Sequence, residues 1–175
     1  MNDKIAIKCF LLLFLLAGRL WAADPILPDP KLTPGDVLTN VSVEQLCQRG
    51  YANVINGGVR DVPESVKRQV FIEYFGKVPE HPGGYEIDHL VSLELGGSND
   101  IKNLWPETLG PVQWNAITKD RLEDRMAALV RAEYLKSGPV GAEQLLRIYQ
   151  SWISTNWIAA YHLIFSESRN QGKTS

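Results

Sequence analysis

The stretch "YEIDHLVSLELGGSNDIKNLWPE", Tyr85 to Glu107, limits the possible fold more than any other part of the chain. Ile87, Leu90, Val91 and Leu93 suit a short strand, or a strand and loop; Gly96 and Gly97 break the run, and Ile101 to Trp105 suits a second short strand. Two short strands joined by a wide loop, a β-hairpin, are the expected result. Helical patterns flank the hairpin on both sides. Upstream, "SVEQ" at Ser42 to Gln45 has the form of a capping box for a short helix that stops near Gly50. "DVPE" at Asp61 to Glu64 repeats the cue, Val66, Val70 and Tyr74 follow at helical spacing, and Gly76 ends the run. "HPGG" at His81 to Gly84 is a turn. Downstream, a helical pattern begins at Pro111 and ends at Ser137 to Pro139, with Leu122, Met126, Leu129 and Val130 as its apolar stripe. Ala142 to Phe165 forms a further helix carrying Trp152, Trp157 and Tyr161. Its polar residues Glu143, Arg147, Gln150 and Asn156 recur too regularly for a membrane span. The class is therefore α+β, a small hairpin surrounded by helices, with the tryptophans in the core.

The amino-terminal segment is set apart from this domain. A short basic stretch precedes the apolar run Cys9 to Gly18, and the small residues Ala22 and Ala23 follow, the order of a secretory signal peptide. A membrane span needs about 20 apolar residues, more than this run supplies. The expected organisation is a signal peptide at 1–22, an extended proline-rich leader at 23–40, one domain at 41–166 and a frayed tail at 167–175. Export to the periplasm or medium follows, with no stable membrane insertion after cleavage. Cleavage after Ala22 removes three basic residues and one acidic residue, taking the formal charge from −2 to −4. Nothing in that balance points to a broad basic nucleic-acid surface, so any phosphate binding is expected to be local. Cys47 then has no internal partner and is expected to act as a small buried hydrophobe.

The chemistry concentrates on the hairpin and the helix after it. His89 is neutral near pH 7 and can accept a proton. Asp88 is a hard oxygen ligand suited to Mg²⁺ or Mn²⁺. Adjacent strand residues point to opposite faces, so both serve one site only if the strand bends or ends at this pair. Asn115, Lys119, Leu122 and Met126 share a helix face. This places Asn115 to offer an amide oxygen to a metal held by Asp88. Lys119, Arg121 and Arg125 either line a phosphate path or form a solvated charged face.

"EIDHLVSLELGGSNDIKNLWPE" followed by "WNAITKDRLEDRM" resembles the HNH nucleases of the ββα-metal fold, and an exported bacterial branch of them over Val41 to Val130. The resemblance implies a hairpin-plus-helix ββα-metal core and a metal-dependent endonuclease, with DNA rather than RNA as its partner and a 5′-phosphate product. It assigns His89 to water activation, Asp88 to the metal and Asn103 to orienting the histidine. A final helix residue completes the metal site. The usual histidine there falls at Pro111, so Asn115 substitutes, and one divalent cation is expected. Relatives carry His and Cys near Ala127 and Arg131, where this chain has neither. The other readings are a non-enzymatic periplasmic module on the same scaffold, binding nucleic acid or another ligand, and a secreted effector paired with an immunity protein.

Overall fold

The computed structural model of the chain describes residues 25–53 and 60–171, so the expected signal peptide lies outside the described residues. Among the described residues the α-helices and strands are α1 (Val43–Leu46), α2 (Glu64–Phe75), β1 (Tyr85–His89), β2 (Leu104–Thr108) and α3 (Ala116–Gln171), joined in part by short 3-10 turns. The two strands pair antiparallel and form a two-stranded sheet, which makes the fold α+β.

Ser42 and Gln45 form the reciprocal capping box expected from "SVEQ", although α1 lasts a single turn. The second cue works differently. Pro63, not Asp61, stands at the N-cap of α2, and no side chain caps it. Proline suits this boundary because its missing N–H falls where a helix leaves donors unpaired anyway. Gly76 ends α2 at φ 73°, with its N–H on the Ile72 carbonyl.

The strands are displaced from their expected positions, β1 toward the amino terminus and β2 toward the carboxyl terminus. Leu90, Val91, Leu93 and Leu95 are all buried, and no two-faced strand can bury consecutive residues against one core. They form the loop instead. The pair of glycines has a steric reason there. Gly96 adopts φ 79°, and a Cβ on Gly97 would lie 1.7 Å from the Val91 carbonyl oxygen. Asn103 closes the loop from inside. Its Oδ1 accepts from Val91 N at 2.9 Å, and its Nδ2 donates to Val91 O at 3.0 Å and Ser98 O at 2.9 Å. Gly97→Ala should therefore cost at least the ~1–3 kcal/mol typical of overpacking. Urea unfolding measures it, and an unchanged midpoint would show that the loop can move aside.

The hairpin lies between two helices. On one face Ile87 and Leu104 pack with Val66, Val70 and Tyr74 of α2 and with Val62, two residues ahead of it. On the other, Trp105 joins Leu122 and Met126 of α3 in the main core, which extends through Leu146, Ile153 and Trp157. The run α3 is helical from Ala116, not Pro111, and continues through Phe165 to Gln171, past the expected start of the frayed tail. It is interrupted at Gly138 (φ 74°), as "SGP" predicts, and again at Asn156 (φ −164°), whose Oδ1 accepts from Ala159 N at 3.0 Å. No helix among the described residues is long and apolar enough to cross a membrane.

The proline-rich leader is irregular, as expected, and docks on the domain. Thr33 is buried, its hydroxyl donating to Leu104 O at 2.9 Å, and Val37 bridges to Gly97. Cys47 is a half-buried free thiol rather than a fully buried one, its pKa raised by burial.

Candidate functional site

The register of the hairpin decides which carboxylates meet. Glu86 pairs with Glu107 and Asp88 with Trp105, and residues directly opposite share a face. Glu86, Asp88, Trp105 and Glu107 therefore all lie on the α3 side. Lys119, near the start of α3, reaches this face and is fully buried. Its ammonium donates to Asp88 Oδ2 at 2.6 Å, to the His89 carbonyl at 2.6 Å and to Glu123 Oε1. Those three bonds use all its donors.

One ammonium faces three carboxyl groups, and the protons distribute accordingly. Burial, helped by Asp88 and opposed by Lys119, pushes Glu107 up to about 10. Neither Glu107 oxygen meets a donor, so its own O–H in the acid form is what can bond, by donation to Asp88. Burial likewise raises Glu123, to about 8, against the pull of Lys119. Burial opposes ionisation of Asp88, but Lys119 and the hydrogen bonds from Glu107 and Lys119 outweigh it and hold its carboxyl below the usual range. Burial opposes the charge of Lys119 as well, and Asp88, Glu123 and Glu107 together raise its pKa above that of ordinary lysine. Asp88 is thus the carboxyl that ionises most readily beside the ammonium, while Glu107 and Glu123 keep their protons to higher pH than ordinary carboxyls do.

His89 turns the other way. The strand ends at this residue, yet the alternation persists through it. The imidazole is 8% exposed, and its Nε2 lies 2.8 Å from Asn99 Oδ1. Asn99 Nδ2 donates to the Asp61 carbonyl at 3.2 Å, which fixes the amide so that its oxygen faces the ring. His89 therefore carries its proton on Nε2 and its lone pair on Nδ1. Burial lowers its pKa. Asn99 and Asp88 oppose that, while Lys119 and Arg60 add to it. The ring is neutral at pH 7 and able to accept a proton. Arg60 donates from Nε to Ala52 O at 2.9 Å, and its charge acts on both His89 and Asp120.

Several expected roles move to other residues. Asn103 does not orient His89, because its amide is spent on the loop backbone; Asn99 makes that bond. Asn115 caps α3, with Oδ1 accepting from Thr118 N at 3.0 Å and Nδ2 donating to Gly110 O at 3.0 Å. Lys119 cannot line a phosphate path, since it is fully buried and its donors are used. Arg121 is exposed and lies over the Phe165 ring at 5.7 Å, and Arg125 is exposed, which fits a phosphate path and a solvated face alike. Asp88 and Asn115 do not fit a shared divalent ion, because one is ion-paired to Lys119 and the other is closed into its cap. Among the described residues no three His, Cys, Asp or Glu side chains are grouped to hold a metal ion. Sequence reasoning missed Glu107, Glu123, Asn99 and Arg60. Only Lys119 and Glu123 left a visible signal, their i,i+4 spacing.

Comparison of the chain with protein-family models, with curated proteins and with solved structures found no match to any of them.

Proposed function

We propose that the protein is an exported endonuclease that hydrolyses phosphodiester bonds in nucleic acid, DNA in preference to RNA, with His89 as general base. On this reading β1, β2 and the first part of α3 are a core of ββα-metal type. One observation carries the proposal: a neutral histidine whose Nε2–H is pinned by Asn99 while Nδ1 keeps its lone pair. A base held in one tautomer and one orientation is what proton transfer from an attacking water needs. Nδ1 takes the proton as the water oxygen attacks phosphorus; the bond from phosphorus to the ester oxygen on the opposite side breaks, and that oxygen takes a proton from solvent. Arg60 supplies the positive charge on the His89 side. A guanidinium matches the planar, two-oxygen recognition of a phosphate.

Supercoiled plasmid tests the proposal, incubated with Mg²⁺, with Mn²⁺ and with chelator. Nicking supports it, and intact plasmid under all three conditions rejects it. The pairing of Asp88 with Lys119 favours a second reading, a binding module without hydrolysis, in which the plasmid is retarded on a gel but never cut. Arg60→Ala should raise KM about tenfold or more through loss of a charge-assisted phosphate contact. An unchanged KM would remove Arg60 from the site.

A further inference from the structure

We propose that Lys119 is a positioning residue for His89, its buried ammonium clamping the Asp88 side chain and the His89 backbone to α3. The inference rests on the reading of His89 as the base. It concerns how that base is held, which no assignment of His89 alone explains. The imidazole sits at the last residue of β1, where the chain leaves the sheet for the loop. After His89 the backbone is tied to Asn103, Leu90 N donating to its carbonyl at 2.8 Å and Val91 bonding its side-chain amide through both N–H and C=O. Those bonds hold the residues after His89 but touch neither its carbonyl nor its ring, which they alone would leave free to swing. Two side chains prevent that from opposite sides of the hairpin. Asn99 fixes the ring through Nε2, and Lys119 fixes the peptide through the carbonyl of the same residue.

Lysine suits this task where arginine does not. The ammonium presents three donors in a tetrahedral array, and three acceptors surround it: a carboxylate from the strand, a carbonyl from the strand and a carboxyl from the next turn of α3. A guanidinium is a planar fork and cannot reproduce that array in the same volume. Glu123, one turn along, holds Nζ from the helix side, so the long side chain stays rigid. The clamp also explains why a lysine in the binding region is wholly removed from solvent. A phosphate ligand would need to be reachable, and a positioning group need only be fixed.

The test uses Lys119→Met, which keeps the stem and deletes the donors, and Lys119→Arg, which keeps the charge and changes the geometry. Each is checked for folding by circular dichroism, then assayed for kcat and KM on plasmid and for the ¹⁵N shifts of the His89 ring. A misplaced catalytic group costs about 10²-fold. The expected result is that drop in kcat with KM within about threefold, together with ring shifts moved toward a mixture of tautomers. Lys119→Arg should fold even if Lys119→Met does not, and should still lose kcat. Wild-type kcat with unchanged ring shifts in either folded variant overturns the proposal. So does unfolding of both, which would make Lys119 a support of the fold alone. If wild-type protein cuts no plasmid, the nuclease reading fails. The ring shifts of the variants then still decide whether Lys119 positions His89.

Discussion

His89→Ala is expected to lower plasmid cleavage by about 10²- to 10⁴-fold, the usual contribution of a general base. The loss should appear mainly in kcat, because the ring acts on water and not on the bulk of the nucleic acid. The fold should persist. Removing the imidazole leaves Asn99 without one partner, but that residue is half-exposed and water can replace the bond. Asn99→Ala should cost less, about tenfold, since the ring remains and only its tautomer and tilt are released. The pH profile gives an independent check. Burial lowers the pKa of His89, so the base form persists below the ordinary histidine range. Cleavage should therefore rise with pH on the acid side and level off before neutrality. Activity of His89→Ala within about threefold of wild type, far short of the loss of a general base, would end the assignment.

What the sequence revealed was set by local chemistry. The hairpin, the Gly76 cap, the "SVEQ" box and the break at Ser137 to Pro139 depend on neighbours within a few residues, and the structure has each of them. The strand boundaries were not legible. The run Leu90 to Leu95 is apolar for burial on all sides, and an alternating strand and a packed loop can share that composition. The site separates in the same way. Asp88 and His89 stood out because they are adjacent and chemically distinctive. Their divergence onto two faces could not be seen until the end of β1 was fixed. Glu107 was hidden because only the register brings it to Asp88, nineteen positions earlier in the chain. The i,i+4 pairing of Lys119 with Glu123 was visible, but spacing gives no depth, and a buried contact looks the same in sequence as a surface one. Asn99 and Asn103 offered the same amide four residues apart. Which one faced His89 depended on the shape of the loop around Gly97.

Thermal stability is expected to fall as pH rises from about 5 to about 9, and Glu107→Gln should flatten that slope. Glu107 and Glu123 have folded-state pKa values of about 10 and about 8, both above the usual carboxylate range. Between the unfolded and folded values the native state holds more protons than the unfolded chain, so raising pH through this interval favours unfolding. Neither charged partner reverses the sign there, and His89, whose pKa burial lowers, opposes it only below the ordinary histidine range, about 6.5. The carboxyl of Asp88 is held low, so its stabilising contribution is already complete above its unfolded value, about 4. Lys119 is raised, so its contribution is lost only above the ordinary lysine range, about 10. A tenfold difference in proton affinity between the folded and unfolded chain is worth about 1.4 kcal/mol, and two interacting acids should together lose on the order of several kcal/mol across the window. Glutamine matches the acid form of Glu107 in size and can donate to Asp88 as that acid does, but it has no proton to lose. The variant should resemble wild type at about pH 5 and exceed it in Tm at about pH 8 to 9. Calorimetric melts of both proteins across that range make the comparison. Parallel curves would mean that Glu107 is not the proton-holding group beside Asp88.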